Sequence, residues 1–368
     1  MYKPNCAFAF LAVCFLLLLN SCKKDDNENV EPPASVEITD SVVVNNLNFP
    51  WDLAWGSDNH IWMTERSGKI SRFNPATGEK NTVITVADVI SNGEGGMLGL
   101  ALEPGTTNVY VVYNYNNGGQ YREKLVKYNF NGTTLVSPSV LIDDIPAASI
   151  HNGSRLVIDN GKIFMSTGDA SNQSSAQNTG SRSGKILRLN LDGSIPTDNP
   201  VAGNPYWSFG HRNAQGLVMA NGRLYSSEHG PDNDDEINII EKGKNYGWPT
   251  VQGFCDSPGE QSLCGQTQEP IKAWTPTLAV SGMDYYNSDH IPQWKGSLLV
   301  ATLKNTRMLQ LKLGEDQVSV AQTNEYFNGK YGRMRDVLVS PEGKVYICTS
   351  NGGNNDKVIE IKRKGNGG

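Results

Sequence analysis

RLVIDNGKIFMSTGD, residues 155–169, consists of two short apolar segments separated by Asn160-Gly161. An Asn-Gly pair between two such segments is typical of a tight β-hairpin turn, because both residues tolerate positive φ. The same arrangement of strand, turn and second strand recurs along the chain. Its six copies are DLAWGSDNHIWMTE (52–65), GLALEPGTTNVYVVYN (99–114), RLVIDNGKIFMSTGD (155–169), GLVMANGRLYSSEHG (216–230), GMDYYNSDHIPQWKGSLLVAT (282–302) and DVLVSPEGKVYICTS (336–350).

The size of this repeat indicates the fold class. Each copy is followed by a further strand-like segment, such as GKILRLNLDG (184–193). Equivalent positions lie roughly 50 to 75 residues apart, which is typical of propeller blades. We therefore expect an all-β fold, a six-bladed β-propeller with four-stranded antiparallel blades, as one domain over residues 39–364. An irregular β-sandwich is the alternative, and the sixfold recurrence disfavours it. The equivalent positions are Trp62, Tyr110, Phe164, Tyr225, Leu299 and Tyr346.

The composition is that of an ordinary globular protein. The chain has 368 residues, 38% of them hydrophobic, and a formal net charge of −6. Its 38 glycines and 18 prolines fit a fold with many turns. An acidic balance without a basic stripe argues against nucleic acid as a partner.

The beginning of the chain resembles an export signal. A lysine precedes the apolar run AFAFLAVCFLLLL (7–19), which is short for a membrane span and typical of a secretory signal. LNSC (19–22) resembles a bacterial lipobox, in which the cysteine becomes the lipidated N-terminus. We therefore predict a lipoprotein signal peptide at residues 1–21, lipid on Cys22, and a flexible tether at residues 22–38. The protein would then be anchored to the bacterial outer membrane, on its periplasmic or cell-surface face. Ordinary signal cleavage beside an incidental cysteine is the alternative.

Three cysteines follow the predicted tether. Cys255 and Cys264 flank the loop DSPGEQSL (256–263), and in an exported protein this arrangement predicts a disulfide. Cys348 lies in the apolar strand KVYICTS (344–350), so we expect a buried free thiol.

Polar residues stand just before and just after the first hairpin in the six repeats. The innermost strands of a propeller run along a central channel, so residues at equivalent positions converge on the axis. Several guanidinium groups around one axis suit a planar polyanion, because each can bind a carboxylate through two parallel hydrogen bonds. The alternative is that each cation pairs with a nearby acid; Glu228, Asp234, Asp235 and Glu236 are available. The cations are Arg212, Lys304, Arg333 and Arg335, and the other flanking residues include Trp51, Asp52, Glu65, Arg66, Glu94, His151, Asn152, Asp169, Asn213, His229, Gly230, Pro231 and Ser281.

The chain also contains long motifs that resemble those of a known protein family and occur in the same order. They are WDLAWGSDNHIWMTERSGKISRFNP (51–75), GEGGMLGLALEP (93–104), GKILRLNLDGSIPTDNP (184–200), GHRNAQGL (210–217), EHGPDNDDEINIIEKGKNYGWP (228–249) and RMRDVLVSPEGKVY (333–346). Over residues 47–361 the chain resembles the soluble quinoprotein glucose dehydrogenases, also called glucose/sorbosone or aldose sugar dehydrogenases. That family is a six-bladed propeller that binds pyrroloquinoline quinone (PQQ), a planar tricarboxylic quinone, together with Ca²⁺.

The resemblance implies roles for the axial residues. His151 matches the family's general base, and Asp169 matches an acid that orients the imidazole. Arg212 and Asn213 match residues at the quinone end of PQQ, where Arg212 would stabilise developing negative charge. The residues that match the remaining cofactor contacts are Lys304, Arg333 and Arg335 at the carboxylates and Trp274 on the ring plane.

The resemblance also implies calcium. Gly230 and Pro231 match the pair whose backbone carbonyls hold the calcium of PQQ, a hard ion that prefers oxygen ligands. The chain departs from the glucose-type enzyme at Glu94, a cofactor contact that is glutamine there. The residues that match a second calcium site are Gln252, Phe254 and Asp256.

The implied reaction is oxidation of an aldose at its anomeric hydroxyl to the lactone. His151 would remove the hydroxyl proton, hydride would pass to PQQ, and electrons would go on to an external quinone or cytochrome. Two other functions stay open. A calcium-dependent lactonase would need acidic and amide side chains around its metal. A cofactor-free sugar-binding propeller lipoprotein would not need His151 together with four axial cations.

Several residues beside these motifs are interpreted as structural. His211, next to Arg212, is expected to pack or to bond behind the site. Tyr246-Gly247-Trp248-Pro249 is interpreted as a blade corner. DNDDE (232–236) lacks the glycine and terminal glutamate spacing of an EF-hand loop.

Overall fold

Residues 35–365 are described by the computed structural model of the chain, and they form 24 β-strands and two short 3₁₀ helices. The predicted signal peptide (1–21), Cys22 and the tether as far as residue 34 lie outside the described residues. Within the described part, no helix is long and apolar enough to cross a membrane.

The strands form six four-stranded antiparallel sheets, the blades. Strand β1 is Ile38–Leu47. Blade 1 contains β2 (Pro50–Trp55), β3 (Ile61–Glu65), β4 (Lys69–Phe73) and β5 (Lys80–Thr85); blade 2 contains β6 (Met97–Leu102), β7 (Asn108–Asn117), β8 (Gln120–Phe130) and β9 (Leu135–Pro146). Blade 3 contains β10 (Gly153–Asp159), β11 (Lys162–Thr167), β12 (Lys185–Asn190) and β13 (Tyr206–Phe209); blade 4 contains β14 (Ala214–Ala220), β15 (Arg223–Glu228), β16 (Asp235–Ile240) and β17 (Lys272–Trp274). Blade 5 contains β18 (Val280–Tyr286), β19 (Ser297–Thr302), β20 (Met308–Leu313) and β21 (Val320–Tyr326); blade 6 contains β22 (Met334–Val339), β23 (Val345–Thr349) and β24 (Asp356–Arg363), and β1 is its outer strand. The 3₁₀ helices are Gln173–Ala176 and Pro292–Trp294.

The ring is closed by the two ends of the described chain. Strand β1 pairs antiparallel with β24, with Asp40 opposite Ile361 and Val42 opposite Ile359. The first strands of the six blades, β2, β6, β10, β14, β18 and β22, pack beside one another around the axis. The predicted six-bladed propeller with four-stranded antiparallel blades is confirmed.

The sixfold repeat seen in the sequence is also the repeat of the structure. Each of the six equivalent residues lies on the second strand of its blade and pairs with the first strand, for example Phe164 with Val157 and Tyr225 with Val218. Asn160 and Gly161 both have positive φ, 46° and 70°, as a tight hairpin turn requires.

The core is divided among the spaces between blades. There are six clusters of buried apolar side chains, and each fills the space between two neighbouring blades. Trp62 and Val111, for example, belong to the cluster between blades 1 and 2. Burying both faces of every sheet in this way gives each blade a share of two cores. The ring is therefore held together by side-chain packing as well as by the strand closure.

Each innermost strand begins with a register shift, and this shift shapes the axis. A β-bulge bends a strand and redirects the side chain at that point. Polar residues that precede or begin these strands are thereby collected at one end of the channel, which we call the upper face.

The cysteine predictions are confirmed. Cys255 and Cys264 form a disulfide, and Cys348 is a buried free thiol on β23.

Candidate active site

A cavity opens on the axis at the upper face. Its volume is about 480 Å³, including the open mouth. It is bordered by the segments that precede four successive innermost strands, β6, β10, β14 and β18, and by the turn between β15 and β16. The lining residues are Glu94, Ile150, His151, Arg212, Asn213, His229, Gly230, Pro231, Asp235, Thr277 and Ala279.

His151 stands at one wall of this cavity, backed by a buried acid. Its Nδ1 is 2.9 Å from Oδ1 of Asp169, whose side chain is almost wholly buried. The same Oδ1 accepts the backbone N–H of Ser171 at 2.8 Å, and Oδ2 accepts the indole N–H of Trp248 at 2.9 Å. With Nδ1 committed to Asp169, Nε2 is the imidazole nitrogen available to a ligand. Trp248 is thus more than a corner residue, because it helps to fix the acid that orients His151.

The backbone of Arg212 and Asn213 is held by a buried acid. The carboxylate of Glu228 accepts the backbone N–H groups of both residues. Its other oxygen is 2.9 Å from Nδ1 of His211, which is fully buried and stacks on Tyr246. His211 is therefore a residue behind the site, as predicted.

The four axial cations do not pair with acids. Within residues 35–365, no carboxylate oxygen lies within 4.0 Å of a side-chain nitrogen of Arg212, Lys304, Arg333 or Arg335. Arg212 instead donates from Nη1 to the carbonyl of His229 at 3.1 Å and lies over the ring of Trp248. The alternative that each cation is neutralised by an adjacent acid is therefore wrong for the described structure.

Burial makes two of these cations costly, the half-buried Arg212 and the buried Arg335, whereas Lys304 and Arg333 are exposed. Desolvation lowers the pKa of Arg212 and lowers that of Arg335 to about 10, so both guanidinium groups stay charged near neutral pH. Buried charge without a partner is expensive, and an anion in the cavity would relieve that cost.

The lining also offers hydrogen-bond donors. Among the described residues, four buried nitrogen atoms near the cavity have no hydrogen-bond partner. Unpaired buried donors are rare in folded proteins and point to a missing ligand or solvent molecule. Three are donors, Nε of Arg212, Nδ2 of Asn213 and Nε of Arg335; the fourth, Nε2 of His229, donates or accepts according to the tautomer.

The turn after β15 presents backbone oxygens. Gly230 and Pro231 both border the cavity, and no described donor hydrogen-bonds to either carbonyl. Asp235 holds this turn, because it accepts N–H groups from Gly230 at 3.0 Å and from Leu278 at 2.7 Å. Clusters of three or more His, Cys, Asp or Glu side chains arranged to hold a metal ion are absent from residues 35–365.

Below the cavity, a polar cluster closes the channel. Arg155 Nη1 is 2.6 Å from Asp52 and 3.0 Å from Asp336, and the Arg155 guanidinium lies 4.3 Å from the ring of Trp51. Asp52 is among the residues predicted at the axis, whereas Arg155 and Asp336 are not. The repeat could have revealed them, because they occupy the same position on the first strand of their blades as Asp52 does. This position lies two residues before the one that pairs with the equivalent residue of the second strand, and in the six blades it holds Asp52, Gly99, Arg155, Gly216, Gly282 and Asp336.

The other predicted site residues lie at the rim or outside the cavity. Glu94 is exposed and lines the mouth, and Lys304 donates to Thr277 at 3.2 Å. Arg333 is exposed above Arg335. Trp274, on β17, is half-buried against the core between blades 4 and 5 and does not line the cavity.

The loop predicted to hold a second calcium contains its own buried acid. Glu260 accepts the backbone N–H groups of Gln252 at 3.0 Å and Ser257 at 2.9 Å. Phe254 and Asp256 are exposed in the same loop, so this second site stays a prediction.

Residues 47–359 match the family described as glucose/sorbosone dehydrogenase. The chain belongs to the glucose/sorbosone dehydrogenase family. It is 33% identical to quinoprotein glucose dehydrogenase B of Acinetobacter calcoaceticus, with 86% of each chain covered. It is 32% identical to aldose sugar dehydrogenase YliI of Escherichia coli, with 86% of this chain and 91% of that one covered.

Solved structures of the family share the fold. The PQQ-bound aldose sugar dehydrogenase of Streptomyces coelicolor superposes with a TM-score of 0.76 at 31% identity, covering 89% of this chain and 99% of that one. The apo-form of the aldose sugar dehydrogenase of Escherichia coli gives a TM-score of 0.81 at 30% identity, covering 89% and 100%. As a member of this family, the protein is an oxidoreductase that acts on a small-molecule sugar.

Proposed function

We propose that the protein is a PQQ- and calcium-dependent aldose dehydrogenase that oxidises the anomeric hydroxyl to the lactone. The observation that carries this proposal is a set of four cations that pair with no described acid: Arg212, which lines the cavity, and Lys304, Arg333 and Arg335, which lie outside its lining. A tricarboxylate is the kind of ligand that such a set would hold, because carboxylates pair with guanidinium and ammonium groups and would offset the cost of burying Arg212 and Arg335.

The donors and carbonyls of the cavity fit the same ligand. Arg212 Nε and Asn213 Nδ2 are buried donors without partners at the end of the cavity next to His151. Arg335, Lys304 and Arg333 would take the carboxylates. The carbonyls of Gly230 and Pro231 would hold Ca²⁺, which binds backbone oxygen readily. When bound, PQQ supplies the two-electron oxidant that no side chain can provide.

The chain's own residues would handle the proton and the charge. His151 Nε2 would accept the proton of the sugar hydroxyl, while Asp169 holds Nδ1 and stabilises the imidazolium that forms. Arg212 would stabilise negative charge that develops beside it, which is effective because its guanidinium is already fixed over Trp248. The sugar would enter from the open mouth, past Glu94 and Ile150.

Reconstitution tests this proposal. Mature apoprotein is mixed with PQQ and Ca²⁺, and the bleaching of a redox dye is followed with a panel of aldoses. We expect sugar-dependent bleaching that requires both additions and disappears in His151→Ala, with a lactone as product. Binding of sugar without uptake of PQQ would favour the cofactor-free binding propeller. Lactone hydrolysis that needs Ca²⁺ alone would favour the lactonase.

The electron acceptor and the membrane anchor are part of the same proposal. A lipid on Cys22 would keep the enzyme at the outer membrane of a bacterium, where a quinone or a cytochrome would accept its electrons. The support is the lipobox-like LNSC (19–22) after an apolar run. Incorporation of labelled fatty acid into the wild-type chain, and its loss in Cys22→Ser, would test the anchor. Unlabelled wild-type protein would overturn it.

A further inference from the structure

Gln215 lies between two residues that the proposed function assigns to opposite ends of PQQ. Its Nε2 donates to Oδ1 of Asn213 at 3.0 Å, and its Oε1 accepts from Nη1 of Arg335 at 2.8 Å. Asn213 directly precedes β14 in blade 4, whereas Arg335 is on β22 in blade 6. The Gln215 side chain, which is only 5% exposed, therefore links two blades across the axis.

The first of these bonds helps to decide which way the Asn213 amide faces. Oδ1 of Asn213 accepts two hydrogen bonds, one from Gln215 and one from the backbone N–H of Gly153 at 3.1 Å. A rotated amide would set its NH₂ group against two donors, so the network allows one orientation only. Nδ2 is then the atom left over, buried and without a described partner. Asn213 is thus fixed as a donor toward the ligand.

The second bond orients Arg335 without neutralising it. Arg335 is buried beside Trp51, with its guanidinium carbon 5.8 Å from the ring, and Ser281 is 3.4 Å away. Gln215 offers an uncharged oxygen, so the guanidinium is held but keeps its full charge for an anion. A carboxylate at this position would form an ion pair and cancel that charge. Nε of Arg335 has no described partner.

We infer that Gln215 is a positioning residue for the cofactor: it sets the donor direction of Asn213 and holds Arg335 charged. Its backbone carbonyl also accepts Nε of Arg155 at 2.9 Å, which ties it to the cluster that closes the channel. The inference rests on the proposed function, because it assigns Gln215 to the binding of PQQ.

A double-mutant cycle on PQQ affinity tests the inference without any measurement of turnover. The dissociation constant of PQQ at fixed Ca²⁺ is measured by equilibrium dialysis for wild type, Gln215→Met, Asn213→Ala and the double variant. Loss of one hydrogen bond to a charged ligand weakens binding by about tenfold or more, and Gln215→Met should do this in the wild-type background. In the Asn213→Ala background its effect should be smaller, because Gln215 then has no amide to orient and only its contact with Arg335 remains to be lost.

A second variant and a matched control separate positioning from folding. Gln215→Glu cannot donate to Asn213 and would also pair with Arg335, so it should weaken PQQ binding more than Gln215→Met, and the part due to Arg335 should persist in the Asn213→Ala background. Gln310→Met removes a buried glutamine of blade 5, which bonds the Gln293 carbonyl and Ser297, and should leave PQQ affinity unchanged. Thermal midpoints of the apoproteins report on folding.

The outcomes are distinguishable. Coupling in the cycle, together with wild-type affinity in Gln310→Met, supports the inference. Equal effects of the Gln215 variants in both backgrounds, or an equal loss in Gln310→Met, would overturn it while leaving the proposed function intact. A wild-type protein that takes up no PQQ would overturn the proposed function and this inference with it.

Discussion

Trp248 donates its indole N–H to Oδ2 of Asp169 at 2.9 Å, across 79 positions of the chain. Asp169 in turn holds Nδ1 of His151, so the orientation of the imidazole depends on a tryptophan from a different blade. The guanidinium of Arg212 lies over the same indole ring at 5.3 Å. One aromatic side chain therefore supports both the residue proposed to take the proton and the residue proposed to stabilise charge.

Replacing that indole should affect catalysis more than folding. Trp248→Phe keeps the aromatic face but removes the N–H, so Asp169 loses one hydrogen bond to its charged form. We expect kcat of the reconstituted enzyme to fall by about tenfold, with a smaller change in the affinity for PQQ. Trp207→Phe, on the outer strand β13 against Phe164, is the matched control and should keep wild-type kcat. An unchanged kcat in Trp248→Phe would show that Asp169 needs no such support.

Arg335 should show opposite effects on binding and on apoprotein stability. Arg335→Met removes a buried cation with no described ion-pair partner, so the thermal midpoint of the apoprotein should stay the same or rise. Affinity for PQQ should fall by about a hundredfold, because a charge-assisted contact is lost inside a water-poor site. Arg333→Met, at the exposed rim, should weaken PQQ binding less and respond more to salt. Equilibrium dialysis and thermal melts measure both effects, and a large drop in the Arg335→Met midpoint would contradict the account.

Glu123 should make stability depend on pH. It is 1% exposed, accepts the hydroxyl of Ser154 at 2.5 Å, and burial raises its pKa from 4.5 to about 8. A raised carboxyl pKa contributes stability that is fully present below pH 4.5 and is lost as the pH rises through 8. Glu123→Gln, which resembles the protonated form, should therefore gain stability over wild type at pH 9 and lose that advantage near pH 4. Denaturant unfolding of both proteins at both pH values measures this difference. If Glu123→Gln gained stability over wild type toward low pH instead, the pKa of Glu123 would be lowered and not raised.

Lys185 should be essential for the loop that follows Asp169. Its ammonium is fully buried and donates to the carbonyls of Ser175, Ala176 and Ser183 at 2.7–2.9 Å. Lys185→Met would leave three buried carbonyls without that donor, and we expect a loss of about 2–5 kcal/mol in the free energy of unfolding. Lys357→Met, at an exposed position of β24, should change stability by less than about 0.5 kcal/mol. Similar free energies of unfolding for the two variants would show that the loop after Asp169 does not depend on the Lys185 ammonium.

Much of the candidate site could be predicted from the sequence because the propeller repeats. Once the six hairpins are aligned, the residues before each first strand must meet on the axis. His151, Arg212, Asn213 and Gly230 were placed in the cavity in this way. Trp274 was assigned to the ring plane of PQQ from the family resemblance alone, because it comes from an outer strand, whose side-chain direction the repeat does not specify.

The sequence by itself determined the number of blades, the hairpin turns at pairs such as Asn160-Gly161, and the collection of cations at one end of the channel. These features are local, since φ preferences and the alternation of apolar residues act over a few positions. Only the tertiary structure decided the closure of blade 6 by β1, the bond from Trp248 to Asp169, and the bridge from Asn213 through Gln215 to Arg335. Such contacts join residues far apart in the chain, and their partners are selected by packing between blades rather than by any local preference.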